Sequence, residues 1–327
     1  MLSPPPDPQS ASAAGPRPAA ELLIVCNLGS GKDEKGDVRK AIEAELMHAA
    51  RPYRFVPVEP GQVVQACQQA ARLAQEQGGV MVAVGGDGTI NAAAQAALGQ
   101  GCPLGVIAQG TFNLFARELG LPLEVGEATQ ALLRAVPEPV QVGTVNQRVF
   151  LVNASVGLYP KLLADREQAK QRLGRRRWIA VLAGLVSLIE WRLQLRLDAD
   201  LDGDIRRLRT ASLFICNNRV QLERLGIEPE IVAQVGEGRL AGLLTRPLGV
   251  LAKLKLIVKA IAGTLGEAHE VDSFTLRSLT VSARSARRLK VATDGEVQWM
   301  EQPLRFAVAP RPLLVMLPPP EQRLPRK

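Results

Sequence analysis

Two carboxylates one residue apart, Asp294 and Glu296, sit in the stretch LKVATDGEVQWM, residues 289–300. Leu289, Val291 and Thr293 alternate before them, and Val297 and Trp299 resume beyond, so a hairpin turning at Asp294-Gly295 explains the pattern. The same rigid turn holds two carboxylates close together, and that pairing is what makes it a candidate for chemistry. A different kind of site stands far upstream. VAVGGDGTINAAAQAAL (82–98) is an apolar run that stops at Gly85, Gly86, Asp87, Gly88 and Thr89, then turns helical with Asn91 close behind. With so few side chains, backbone N–H groups and the positive end of a helix can approach a phosphate. A tight strand–helix turn without a ligand would have the same composition. Asn91 stands where GxGxxG needs its last glycine, so the dinucleotide fingerprint is not met.

Two more exits share this character. CNLGSGKDEKG (26–36) offers Asn27, Ser30, Gly31 and Lys32 to a phosphate, or simply forms a solvated surface loop. It is not a Walker A loop, because Cys26 and Asp33 occupy the places of the first glycine and the last Ser/Thr. AQGTFNLFARELGLP (108–122) passes from a strand to Gly110 and Thr111 at a helix start, with Asn113 in the first turn. Ligands of parallel α/β sheets gather at the carboxyl ends of strands, so three such exits can converge on one nucleotide.

The elements that must position these residues fall into two textures. From residue 21 to about 136, strands at 22–26, 53–58, 80–84 and 103–108 alternate with helices at 37–50, 61–77, 89–98, 112–119 and 124–135. That order predicts an α/β domain with a mainly parallel sheet. Beyond VPEPV (136–140) the pattern is β-rich. Strands are expected at 148–157, 191–197, 274–282, 288–293, 304–308 and 313–317, Asp202-Gly203 marks a hairpin, and helices are expected near 177–190 and 248–262. This predicts a disordered tail over 1–20, an α/β domain over 21–140, and an antiparallel, sandwich-like β domain beyond it, over 141–302.

Composition narrows the partners. Net charge is +8 with pI about 9.6, which favours anionic partners, while aromatics at 4% argue against base-stacking nucleic-acid binding. The four cysteines form no CxxC pair, so a zinc site or disulfide framework is not expected and a reducing compartment fits. His48 and His269 are the only histidines, too few to build a histidine-dependent metal site or triad. The Pro-, Ser- and Ala-rich start has no apolar signal-peptide core, and the longest apolar stretch, 178–189, is short of the roughly 20 residues that span a bilayer. Arg172 and Arg175–Arg177 before one apolar helix, and Lys253, Lys255 and Lys259 within another, suit either peripheral docking on anionic lipid or packing between domains.

Taken together the motifs resemble the diacylglycerol kinase catalytic-domain family, which includes bacterial lipid kinases and sphingosine kinases. NLGSGK matches the family's N-P-x-S-G with Leu28 for proline. GGDGT with Asn91 follows, then AQGTFNLFAR for P-x-G-T-x-N-x-x-A-R, and finally Asp294-Gly295-Glu296. The resemblance runs from about Leu22 to Leu317, and it implies that the domain over 21–140 binds nucleotide, that 303–327 returns to it, and that the active site lies in the cleft between the domains. It implies ATP and Mg²⁺ as cofactors, with nucleotide held by Asn27, Ser30, Gly31, Lys32, Gly85–Thr89, Asn91, Gly110, Thr111 and Asn113. Glu296 would take the proton from a lipid hydroxyl, and Asp294 would assist metal binding or orientation. Three departures stand out: Leu114 where many members have aspartate, Glu237 with Arg239 where members have a metal-binding aspartate in D-G-x-L, and no threonine over 53–59. Glu237 is then the residue left to ligate a structural metal.

The expected activity is ATP-dependent phosphorylation of a lipid hydroxyl, with diacylglycerol or a sphingoid-like lipid as acceptor, by a cytoplasmic protein bound peripherally to membranes. Another GGDGT kinase, such as an NAD kinase or phosphofructokinase, is the enzymatic alternative. A nucleotide- or lipid-binding regulator without turnover is the alternative of another class, and Leu114 and Glu237 favour it. No nucleic-acid partner is expected. Exposed strand edges leave a homodimer open.

Overall fold

The computed structural model describes residues 20–27, 32–157, 195–246, 259, 271–283 and 286–326. The tail expected over 1–20 lies outside them except for Ala20, as do Ser30, Gly31, Arg172 and Arg175–Arg177. The helices expected over 177–190 and 248–262 also lie outside, apart from Lys259.

The first sheet is parallel where the sequence alternates strand and helix. β1 (Leu22–Asn27), β2 (Tyr53–Val56), β3 (Val80–Gly85) and β4 (Leu104–Ala108) lie in the order β2-β1-β3-β4. Leu23, Val25, Met81 and Ala83 pack on one face with α2 (Val63–Gln77) and α3 (Asp87–Gln100). Leu22, Ile24, Val80, Val82 and Val84 pack on the other with α1 (Lys32–His48) and α5 (Val125–Leu133). A sheet covered on both faces needs apolar residues at every position, which is why these strands read as unbroken apolar runs. Each strand therefore delivers its loop to the same edge of the sheet.

Two elements complete this sheet, the first of them unexpected and the second part of the segment expected to return. VPEPV, where the texture of the sequence changes, is itself a strand, β5 (Val136–Val140). It runs antiparallel to β18 (Leu313–Leu317), which in turn lies parallel to β4. β5 is the last strand of the sheet, so its two prolines can keep their missing N–H groups out of the ladder. Of the segment expected to return over 303–327, β17 (Leu304–Val308) stays in the second region and β18 alone of the strands joins the first sheet.

The second region is a sandwich of two antiparallel sheets. One has the order β10-β9-β14-β17-β6-β7 and the other β13-β12-β11-β8-β15-β16. Their strands are β6 (Gly143–Val145), β7 (Arg148–Phe150), β8 (Asn153–Gly157), β9 (Leu195–Leu201), β10 (Asp204–Thr210) and β11 (Ser212–Cys216), followed by β12 (Leu240–Thr245), β13 (Val271–Leu276), β14 (Ser278–Ala283), β15 (Arg288–Thr293) and β16 (Glu296–Glu301). Phe150, Leu197, Leu279 and Phe306 from the first sheet meet Val156, Leu213, Ile215 and Val291 from the second in one core. Short helices α4 (Leu114–Glu118), α6 (Arg219–Arg224) and α7 (Pro229–Gln234) lie outside it.

Two stretches that read as single strands are each divided between the sheets. Residues 148–157 leave β7 at Phe150 and enter β8 of the opposite sheet at Asn153, while residues 274–282 cross from β13 to β14 at Arg277. An aspartate sits at each crossing. Asp294 accepts hydrogen bonds from the N–H groups of Leu151, Val152 and Asn153 at 2.8, 2.9 and 2.9 Å. Asp202 accepts from the N–H groups of Arg277 and Ser278 at 3.1 and 2.7 Å. Both belong to two-residue hairpin loops, Asp202-Gly203 and Asp294-Gly295, with positive φ at all four residues (49°, 97°, 47° and 89°). The turn chemistry is legible in sequence; the second task of its aspartates, satisfying backbone donors where a ladder is interrupted, is not.

Cys67, Cys102 and Cys216 are buried free thiols, which burial pushes up to about 12, 11 and 12. Among the described residues no helix is long and apolar enough to cross a membrane.

Candidate active site

The carboxyl ends of β1, β3 and β4 bring three glycine-rich exits together. A side chain on Gly85 would place its Cβ 2.7 Å from the Asn27 carbonyl oxygen and 3.0 Å from the Thr89 side chain, and Asn27 Nδ2 donates to Thr89 Oγ1 at 3.0 Å. A Cβ on Gly110 would lie 2.9 Å from Gly86 Cα and 2.8 Å from Asn113 Oδ1. The two loops therefore touch backbone to backbone, and glycine is what permits it. Asn113, at φ 51°, ties its own loop by accepting from Gly110 N–H and donating to the Gly110 carbonyl. Its backbone N–H donates to Asp87 Oδ2 at 3.2 Å, which joins the loop after β4 to the start of α3. Thr111 and Phe112 stand exposed at this rim.

The arrangement suits an anion accompanied by a cation. The N-cap of α3 is Gly86, which supplies no side-chain cap, so the first N–H groups of the helix are left to water or a ligand. Asp87 Oδ1 is buried and has no hydrogen-bond partner. A carboxylate oxygen without a protein partner beside a glycine cradle fits a magnesium-bridged phosphate. Asn27, Gly85–Thr89, Gly110, Thr111 and Asn113 all line or brace this corner. Lys32 opens α1, and its side chain lies outside the description.

The late acids reach the same corner from the sandwich. Glu296, first residue of β16, places Oε1 3.2 Å from where a Cβ on Gly88 would lie, and its Oε2 accepts from Arg148 Nη2 at 3.2 Å. Residues 88 and 296 are thus neighbours across the seam between the two regions. Asp294 is bound differently. Besides three backbone N–H groups, it accepts from Asn91 Nδ2 at 2.6 Å, so its oxygens are committed to holding structure. Burial pushes its carboxyl above the ordinary value, and the N–H groups of Leu151, Asn153 and Val152 and the Asn91 amide pull the other way.

Asn91 is the site residue that the structure places elsewhere. It is buried and spends its amide N–H groups on Asp294 and on the Val149 carbonyl at 3.1 Å, so it locks α3 to the sandwich instead of facing the glycine cradle. Gln95 does the same one turn on, accepting from Val149 N–H at 2.8 Å. Neither Gln95 nor Arg148 stands out in sequence, because nothing local links position 95 or 148 to the late hairpin. Around Glu296, Arg148 Nε, Thr293 Oγ1 and Gln298 Nε2 are buried without hydrogen-bond partners. Thr293 pairs directly with Glu296 across the hairpin, and Gln298 is two residues along the same strand, so both share its face.

The expectation that Glu237 ligates a structural metal does not fit the geometry. Its carboxylate is exposed and faces the Arg219 guanidinium, Nη2 to Oε1 3.6 Å. Among the described residues, no three His, Cys, Asp or Glu side chains come together as a metal site requires.

The chain is similar to several known proteins. The family model described as the diacylglycerol kinase catalytic domain matches residues 21–145. A Pseudomonas aeruginosa protein named "Probable lipid kinase YegS-like" is 31% identical over 317 residues, covering 91% of this chain and 94% of that one. The chain spans about half the length (54%) of an uncharacterised Synechocystis protein to which it is 26% identical over 250 residues. A solved structure described as a diacylglycerol kinase from Bacillus anthracis superposes with a TM-score of 0.64 at 20% identity, over 92% of this chain and 97% of that one. Fold, motif order and a full-length relative coincide: the chain belongs to the diacylglycerol kinase catalytic-domain family, with the YegS-like lipid kinases.

Proposed function

We propose that the protein transfers the γ-phosphoryl group of ATP to a lipid hydroxyl, with Glu296 as general base, at the surface of an anionic membrane. The observation that carries this reading is the contact of Glu296 with Gly88, which sets a base from the sandwich directly over the glycine turn of the first domain. When bound, ATP supplies the phosphoryl group and Mg²⁺ neutralises its developing charge. Gly86 and Gly88 at the start of α3 can offer their N–H groups to phosphate oxygens, Gly110 lets its loop come close because its own N–H is held by Asn113, and Asp87 Oδ1 is the oxygen available to the cation. Glu296 takes the proton from the acceptor hydroxyl, and Arg148 holds its carboxylate in place. The partnerless Arg148 Nε, Thr293 Oγ1 and Gln298 Nε2 offer hydrogen bonds that a polar lipid head can accept or donate. The net charge of +8 favours an anionic lipid surface.

The direct test is transfer of label from γ-labelled ATP with Mg²⁺ into vesicles made from a bacterial lipid extract. Organic-phase label supports a lipid kinase. Label on a soluble acceptor would instead favour the other GGDGT kinases, and nucleotide binding with no transfer at all would favour a regulator.

Substitution of the glycines separates binding from transfer. A Cβ at Gly110 meets backbone, which cannot yield, so Gly110→Ala is expected to weaken nucleotide binding by about tenfold or more. A Cβ at Gly88 meets only the tip of Glu296, so Gly88→Ala should slow transfer more than it weakens binding. Isothermal titration with a non-hydrolysable nucleotide, beside the transfer assay, reads both. Equal effects of the two variants on affinity would count against this placement of the nucleotide.

A further inference from the structure

We propose that Arg219 is a built-in cation for the turn around Glu237, where the resemblance implies a structural metal that the residues present do not fit, so that the turn keeps its shape without a divalent ion. The proposal rests on local geometry and is independent of the catalytic reading.

The turn between α7 and β12 runs from Val235 to Arg239, closed by a bridge between those two residues. It carries two glycines at positive φ, Gly236 at 87° and Gly238 at 80°. Gln141 braces one side. Its Oε1 accepts from Gly238 N–H at 2.7 Å, and its Nε2 donates to the Arg239 carbonyl at 2.9 Å. The other side is held by Arg219 alone among the described residues. Its Nε donates to the Val235 carbonyl at 2.5 Å, and its Nη2 lies 3.6 Å from Glu237 Oε1. A Cβ on Gly236 would come within 3.1 Å of the same Nη2, so the guanidinium lies packed against the turn's backbone.

One backbone carbonyl and one carboxylate facing a common positive charge are ligands that a hard cation would take. Here that charge is covalently part of α6, with its side chain only 20% exposed. The arginine is itself fixed, because its helix is docked on the first domain. Asn218 Nδ2 donates to the Leu114 carbonyl at 3.0 Å, and Glu118 accepts from Val220 N–H at 3.1 Å. A planar fork with donors on two edges can hold a carbonyl and a carboxylate at once, which a lysine ammonium on a flexible stem does less well.

Thermal unfolding of the nucleotide-free chain in EDTA, in MgCl₂ and in CaCl₂ tests this. The wild type should melt at the same temperature in all three. Arg219→Ala should melt about 2–4 °C lower in EDTA and recover part of the loss in magnesium or calcium, because the Val235 carbonyl and Glu237 carboxylate become free for the ion. Arg219→Ala with Glu237→Gln should recover nothing. If Arg219→Ala does not fold, Arg219→Gln serves: it removes the charge but keeps much of the side chain, and it should melt below wild type in EDTA and again gain from the ion. A wild-type melting temperature that rises with the ion and ceases to do so in Glu237→Gln would overturn the proposal. So would an Arg219→Ala chain as stable as wild type, or one that no ion restores.

Discussion

Glu296→Gln is expected to lower phosphoryl transfer by about 10²- to 10⁴-fold while leaving nucleotide affinity unchanged. Glutamine keeps the length of the side chain and an oxygen over Gly88, so the glycine corner is not disturbed. What disappears is a group able to take a proton from the attacking hydroxyl. The pair with Arg148 also goes, but Glu296 is 59% exposed, and an ion pair so open to water contributes little to stability. Melting temperature and nucleotide titration should therefore match wild type. Arg148→Met is the companion variant: if the arginine only positions the base, kcat should fall less than in Glu296→Gln, and Arg148→Lys should restore part of it. A Glu296→Gln enzyme keeping more than about a tenth of its transfer rate would move the base elsewhere. Asp87, whose Oδ1 lacks a partner, would be the next candidate.

The parts of this site that are local in sequence were legible, and the parts that depend on distant pairing were not. Strand and helix alternation over 21–136 showed because strands buried on both faces leave uninterrupted apolar runs. GGDGT and QGTFN showed because close backbone approach demands glycine at fixed places. The Asp-Gly turns showed because two-residue hairpin loops need positive φ. The division of 148–157 between two sheets could not show: both halves are apolar and strand-like, and the break is imposed by a carboxylate about 140 residues later. The resemblance implies a nucleotide contact at Asn91 because an asparagine follows GGDGT, but in the fold its side chain meets the sandwich, and Asp294 claims its amide. Arg219 carried no signal at all, since a single arginine acquires a role only from the turn that folds against it.

Asp294→Ala should be the most damaging change to the fold. Four donors converge on this carboxylate: the N–H groups of Leu151, Val152 and Asn153, and the Asn91 amide. Leaving buried donors unsatisfied costs about 1–3 kcal/mol each, and neighbouring losses are not additive, so a total near 3–6 kcal/mol is expected. That is a large share of the roughly 5–15 kcal/mol that holds a typical domain together. Transfer should fall as well, because the crossing at 151–153 and the hairpin bearing Glu296 are set against each other by these bonds. Urea unfolding distinguishes this variant from Glu296→Gln: its midpoint should drop sharply, whereas that of Glu296→Gln should not. Asp294→Asn adds a pH readout. Burial raises the Asp294 carboxyl above its ordinary 3.8, so its contribution is fully present below that value and declines as pH rises through the folded-state value. The stability advantage of wild type over Asp294→Asn should therefore be largest in acid, below the ordinary carboxyl value, and fall as the pH is raised. An Asp294→Ala protein that unfolds at the wild-type midpoint yet has lost transfer would place this carboxylate in the chemistry instead of in the framework.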